Sequence, residues 1–181
     1  MNDNGGAKMT RESRGTITLE EEVRISDPCY DPDTWCAGTL ENVKSGAYNC
    51  YVNFQDTGEF GIRVASIIAV HSEFDNENFK NPEIVTNIDV GVDSGQCGIY
   101  DLEYFKRNQP DGEWYDRVYY QASHRNDKFD AGTVDGKCFV SASGFGDGSY
   151  NCFVKYNDNG QIVFIEIRYL EEDLSSEETE K

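Results

Sequence analysis

A duplicated segment constrains this 181-residue chain more than any other feature. Residues 46–58 read GAYNCYVNFQDTG and residues 148–160 read GSYNCFVKYNDNG, at a constant offset of 102 with no gap. Gly46/Gly148, Tyr48/Tyr150, Asn49/Asn151, Cys50/Cys152, Val52/Val154, Asp56/Asp158 and Gly58/Gly160 are identical. Chance supplies about one identity in such a window, so the two segments read as copies. Each alternates Tyr, Cys, Val and an aromatic on one side, the period of a strand. QDTG and NDNG then supply turn chemistry, and a second apolar stretch follows each: EFGIRVASIIAV at 59–70 and QIVFIEIRYL at 161–170. Each copy is therefore expected to be a β-hairpin.

The repeat is expected to extend upstream. GTITLEEEVRISD (15–27) and GTVDGKCFVSAS (132–143) each read as a turn-flanked strand running into an irregular loop. Two related antiparallel units, about 15–70 and 132–170, would then pack around a pseudo-twofold. Between them, NIDVGVDSGQCGIYD (87–101) suggests a strand with Ile88, Val90 and Val92 on one face. Asp101 is a good N-cap for a short helix over 101–109. In 113–125, Trp114, Val118 and Ala122 recur every four residues, with Tyr115 and Tyr119 beside them, which predicts a second amphipathic helix. The fold class expected is α+β, mainly β, in one domain over 15–170. Residues 1–14 read as a polar arm and 171–181 as an acidic tail.

Charge narrows the partners. Sixteen Lys+Arg against 34 Asp+Glu leave −18, of which the tail carries −5, so direct nucleic-acid binding is disfavoured. No apolar run approaches the ~18 residues of a membrane span, and the polar start is not a secretory signal, so the expected location is the cytoplasm. There the six cysteines are expected to be thiols. No C-x-x-C pair occurs and the two histidines are far apart in sequence, so neither a metal nor a cofactor is expected.

The unusual loops carry the candidate chemistry. SDPCY (26–30) presents Asp27, which reads first as a turn carboxylate capping backbone N–H groups and second as a ligand contact. VDSGQCG (92–98) offers Ser94, Cys97 and a glycine that permits close backbone approach. SASGFGDGSY (141–150) is glycine-rich, but it lacks the lysine of a phosphate-binding P-loop and leads into a strand. Trp35, in the long loop after Asp27, is expected to plug the core or line a groove. The candidate ligand-binding residues are Asp27, Tyr30, Trp35, Asp93, Ser94, Gln96, Ser143, Asp147 and Tyr150; no catalytic residue is assigned.

SDPCY followed by WCAG, the central VGVDSGQCGIYD and the late SGFGDGSYNCFVKYNDNGQIVFIEI resemble an uncharacterised family of bacterial and bacteriophage proteins marked by VDSG and SGxGDGSY motifs. The resemblance covers most of 16–170. It implies a small, β-rich cytoplasmic protein of phage or prophage origin and carries over no catalytic residue.

The reading favoured is a non-enzymatic protein that sequesters a small, nucleotide-type ligand where the loops converge. An anionic ligand then requires Arg24, Arg63, Arg117, Arg125 or Lys137 to gather locally. Two alternatives stand beside it: an acidic DNA mimic that inhibits a host protein, and a small hydrolase using Cys97 or Ser94 with His124. Edge strands and aromatic surface also make a homodimer an expectation.

Overall fold

The computed structural model describes residues 8–75, 84–107 and 112–171. The chain forms two antiparallel sheets packed face to face, with helices on the outer face of the smaller sheet. The strands are β1 Met9–Leu19, β2 Val23–Ser26, β3 Gly38–Leu40, β4 Gly46–Asp56, β5 Ile62–His71, β6 Ile84–Val92, β7 Gln96–Asp101, β8 Ala131–Val134, β9 Cys138–Ala142, β10 Gly148–Tyr156 and β11 Ile162–Arg168. One sheet runs β1-β4-β5-β11-β10-β6 and the other β3-β2-β7-β9-β8. Ile17, Leu19, Tyr48, Cys50 and Val52 from the first sheet meet Val23, Ile25, Ile99 and Phe139 from the second in the sandwich core. The mainly β, α+β fold is the one the alternating patterns anticipate.

Both copies of the repeat are hairpins, β4–β5 and β10–β11, and they match in detail. Gly58 and Gly160 take φ of 71° and 74° at equivalent turn positions, a conformation that favours glycine. A register shift falls between Asn53 and Phe54 in one and between Lys155 and Tyr156 in the other, 102 residues on. The hairpins join through their second strands, and Ile68 pairs with Glu166. The flanking pairs Ile67–Ile167 and Ala69–Ile165 exchange places under a twofold through that central pair.

The twofold governs the whole molecule and corrects the upstream correspondence. β1 flanks β4 at one edge of the large sheet, and β6 flanks β10 at the other. Both edge pairings shift register at matching places, between Asn49 and Tyr51 and between Asn151 and Phe153. β2 and β7 then pair at the centre of the small sheet, with β3 and β9 outside them. The partner of β1–β2 is therefore β6–β7, not the 132–143 segment. Sequence alternation identifies strands well, but strand partners depend on long-range pairing that it does not encode.

The second half carries an insertion between β7 and β9. It comprises helix α1 Leu102–Arg107, helix α2 Gly112–Val118, a π-helical turn at Tyr119–Ser123, a 3-10 turn at Arg125–Asp127, and β8. The Asp101 carboxylate accepts from the Tyr104 N–H at 3.3 Å, as an N-cap does. Trp114, Val118 and Ala122 bury against Tyr100, Phe105 and Val140. The single helix expected over 113–125 is thus split. It widens at Tyr119, where the His124 N–H reaches back five residues to the Tyr119 carbonyl at 2.7 Å. Such π turns occur frequently at functional sites. Among the described residues no helix is long and apolar enough to cross a membrane.

A shared tyrosine fixes the corner before each hairpin. Tyr48 donates to the Lys44 carbonyl at 2.7 Å, and Tyr150 donates to the Gly146 carbonyl at 2.7 Å, four residues back in both halves. Tyr48 also reaches the Ile162 carbonyl at 3.0 Å and is fully buried. Tyr48→Phe should cost about 1 kcal/mol by removing the hydroxyl that donates to the part-buried Lys44 carbonyl; the Ile162 carbonyl keeps the Lys44 N–H. Denaturant unfolding of that variant checks it.

Candidate functional site

The two halves differ most at one corner. In the first half the loop between β3 and β4 is sewn to the start of β11: Lys44 N–H donates to the Ile162 carbonyl at 2.9 Å, and Ile162 N–H to the Asn42 carbonyl at 3.0 Å. The Asn42 side-chain amide adds a bond to the Gly160 carbonyl at 2.8 Å. In the second half the loop between β9 and β10 starts alike. Ser143 N–H donates to the Gly95 carbonyl at 3.0 Å; in the first half it is Val43, two positions further along its own loop, whose N–H donates to the Glu21 carbonyl at 3.0 Å. Gly144 (φ 53°) repeats the left-handed backbone of Asn42 (φ 58°). The loop then parts from the start of β5. Among the described residues no backbone hydrogen bond joins 143–147 to 60–63.

The parting leaves a cavity of about 250 Å³. Ser94 and Gly95 line it from the β6–β7 turn, Ala142 to Gly146 from the glycine-rich loop, Arg63 from β5, and Tyr119, His124 and Phe129 from the insertion. None of the lining residues is acidic, although the chain carries 34 acids. The Arg63 guanidinium lies 4.3 Å from the centre of the Phe129 ring and 6.0 Å from that of Phe145. It makes no ion pair with a described carboxylate. Phe145, 62% exposed, meets the Phe60 ring edge-on at 6.0 Å beside the cavity.

The His124 ring stacks on Tyr119 with centroids 4.0 Å apart and planes 7° from parallel, and Phe129 contacts it edge-on at 5.4 Å. Its Nδ1 lies 2.9 Å from Ser123 Oγ, which is 2.6 Å from Gln96 Oε1. Burial holds the imidazole below the usual histidine range, which favours the neutral form.

Asp27 is the scaffold of the site rather than part of its lining. It is fully buried. Oδ2 accepts from the Asp93 and Ser94 N–H groups at 2.9 and 2.8 Å; Oδ1 accepts from Ser94 Oγ and Cys29 N–H, both at 2.8 Å. The carboxylate thus spends its four acceptor positions on the protein, in line with the first of the two readings of that loop. The Pro28 carbonyl beside it accepts the Trp114 indole N–H at 2.7 Å, which locks the insertion onto this turn.

Of the other sequence candidates, Ser94 and Ser143 line the cavity. Tyr150 braces its loop through the Gly146 and Ser143 carbonyls, and Gln96 lies buried behind His124. Tyr30, Asp93 and Asp147 fall outside the lining. Trp35 is 91% exposed and neither plugs the core nor lines the cavity. The cations do not gather. Arg24 is buried and bonded to the Thr34 carbonyl and the Thr39 hydroxyl, Arg117 pairs with Asp135, and Arg125 lies 3.9 Å from Asp130. Arg63 alone reaches the cavity. Sequence reasoning missed Tyr119, Phe129 and Phe145 as lining groups. The glycines flanking Phe145 were a signal for it, whereas the π turn that aims Tyr119 has no sequence signature.

The structure also bears on nucleophiles. Cys97 is fully buried in the core with its thiol pushed far up by desolvation, so it is not the nucleophile of a hydrolase. Cys50 and Cys138 are likewise raised by burial, and Cys152 is pushed up to about 12. Only Cys29 and Cys36 are part-exposed. Mass-spectrometric alkylation should therefore label those two in the native protein and all six in denaturant. Ser94 shares the cavity with His124, but its hydroxyl proton goes to Asp27. Among the described residues no group of three or more His, Cys, Asp or Glu side chains could hold a metal ion. Neither protein-family models, curated proteins nor solved structures yield a match to this chain.

Proposed function

We propose that this chain is a non-enzymatic binding protein that sequesters a small anionic ligand of nucleotide type in the cavity between the β6–β7 turn and the 143–147 loop. One observation carries this reading: a carboxylate-free hollow, with an Arg63 that pairs with no described carboxylate, exists in one half of a pseudo-symmetric molecule, whereas the equivalent corner of the other half is stitched shut. The fold therefore does not require the hollow. A guanidinium held over an aromatic ring is suited to an oxyanion. The glycine-rich backbone of the loop allows close approach of phosphate oxygens. Phe145 and Phe60 offer apolar faces for a ring. The volume is slightly below the ~300–1,000 Å³ of sites for drug-sized ligands. A wider trough shares the Phe129 wall; it is lined by Arg14, Phe54, Ile62 and Lys128 together with Glu12, Asp127 and Asp130, so it leaves room for an uncharged or cationic part of a longer molecule. Holding rather than cleaving is supported by the occupied Ser94 hydroxyl and the buried Cys97.

A thermal-shift panel of mono-, di- and cyclic nucleotides and dinucleotides tests this. At least one should raise Tm by several degrees, as ligand at ~100-fold its Kd adds ~2.7 kcal/mol. Arg63→Met should weaken that ligand at least about tenfold. A panel in which no nucleotide shifts the wild-type protein overturns the reading.

A further inference from the structure

We propose that anion binding in this cavity takes up a proton from solvent at His124. The occupied site then holds two cationic groups, Arg63 and the His124 imidazolium, where the vacant site holds one. The inference rests on the anion-site reading above and adds a regulation to it: occupancy tightens as pH falls.

The geometry around the ring carries the argument. Nδ1 is engaged by Ser123 Oγ, and the stack on Tyr119 restrains the plane of the ring. Nε2 makes no hydrogen bond to any described residue, on a ring that lines the cavity. The charged groups on the surrounding elements are Arg63 on β5, Asp93 in the β6–β7 turn, Asp147 in the glycine-rich loop, and Arg125, Asp127, Lys128 and Asp130 on the segment that follows; neither Asp93 nor Asp147 lines the cavity. Asp130 is already spent: its carboxylate holds Arg14 at 2.9 Å and the Ala131 N–H at 2.7 Å, with Arg125 at 3.9 Å. No described carboxylate bonds to His124, so in the vacant protein nothing offsets the burial that keeps the ring neutral. An oxyanion beside Arg63 supplies the missing opposite charge. An opposite charge within ~4–6 Å favours the protonated form. By linkage the proton favours the anion to the same degree.

The sign is fixed by the direction of the shift. The vacant folded protein holds His124 below its unfolded value of ~6.5. Its contribution to stability is therefore present above that value and is lost as pH falls through it toward the folded pKa. A bound anion raises the folded pKa and restores the loss, so stabilisation by anions should be larger at pH 5.5 than at pH 8.

The full chain can be tested with sulfate, whose own charge is constant over this range. His71 and His124 are the only two histidines, so their ring NMR signals are readily followed from pH 5 to 8.5 in sulfate and in chloride at matched ionic strength. Sulfate should raise the His124 midpoint by about one pH unit, equivalent to about tenfold tighter sulfate binding on the acidic side. His71 does not line the cavity. Suppose sulfate instead perturbs the Gly95 and Gly144–Gly146 amides equally at pH 5.5 and pH 8 while the His124 midpoint stays fixed. The proton linkage is then wrong and the anion site stands. If those amides respond at neither pH, both readings fall. His124→Gln should bind sulfate with no pH dependence; a dependence that survives in this variant assigns the proton elsewhere and overturns the proposal.

Discussion

Asp27→Ala should lower stability by about 3–5 kcal/mol, because it strands three backbone N–H groups and a hydroxyl that now share one buried carboxylate. For a domain of this size that corresponds to roughly 10 °C in Tm. Scanning calorimetry reads the effect directly. Asp27→Asn keeps the shape but turns an amide NH2 toward N–H donors, so it should recover only part of the loss. Ser94→Ala removes one of the four bonds and should cost about 1–3 kcal/mol, with the fold intact. An Asp27→Ala protein as stable as the wild type would mean that the β6–β7 turn is held by something other than this carboxylate. The expected damage is local as well as global: Ser94 and Gly95 form one wall of the cavity, so ligand affinity should fall with Tm.

Gly132→Val is the second large effect. Gly132 lies on β8, under the insertion. A Cβ there would stand 2.8 Å from the Gln121 carbonyl oxygen and 3.0 Å from the Ala122 Cα, both main-chain atoms of the π turn. Neither can yield by a rotamer change, so the turn must lift off the sheet. Overpacking of this kind costs about 1–3 kcal/mol, and a branched side chain against backbone belongs at the upper end. The π turn carries Tyr119 and leads directly into His124, so the same substitution should weaken ligand binding beyond what the stability loss explains. Titration of Gly132→Val with the ligand found in the nucleotide panel, well below its Tm, separates the two. Full affinity there would show that the insertion tolerates displacement without moving the cavity wall.

The sequence made the hairpins legible because they are local. Alternation, a turn glycine and a second apolar stretch all fall within about 25 residues at 46–70 and 148–170. The convergence of Ser94 with Ser143 was also foreseeable, because both sit on glycine-bearing connections next to strands. The pairing of β1–β2 with β6–β7 was not, because it is expressed in register and sheet order rather than in residue identity. Trp35 misled for a simple reason. A tryptophan in an acidic chain looks like core material, but this one lies in a loop that leaves the sandwich and is almost fully exposed. Arg63 appeared only as one cation among five. That it lines the cavity and pairs with no described carboxylate depends on tertiary placement, which residue type and spacing do not encode.

The Ile68–Glu166 pairing at the centre of the large sheet has a numerical consequence. Two identical halves related by that axis would carry either no hollow or a pair of them, and a substitution opening one would open its mate. Here the two corners have unlike sequences, ENVKS and SGFGD, and only the latter gapes. A titration should accordingly saturate at one equivalent per polypeptide, and transplanting the five residues at 41–45 over those at 143–147 should bring that count to zero.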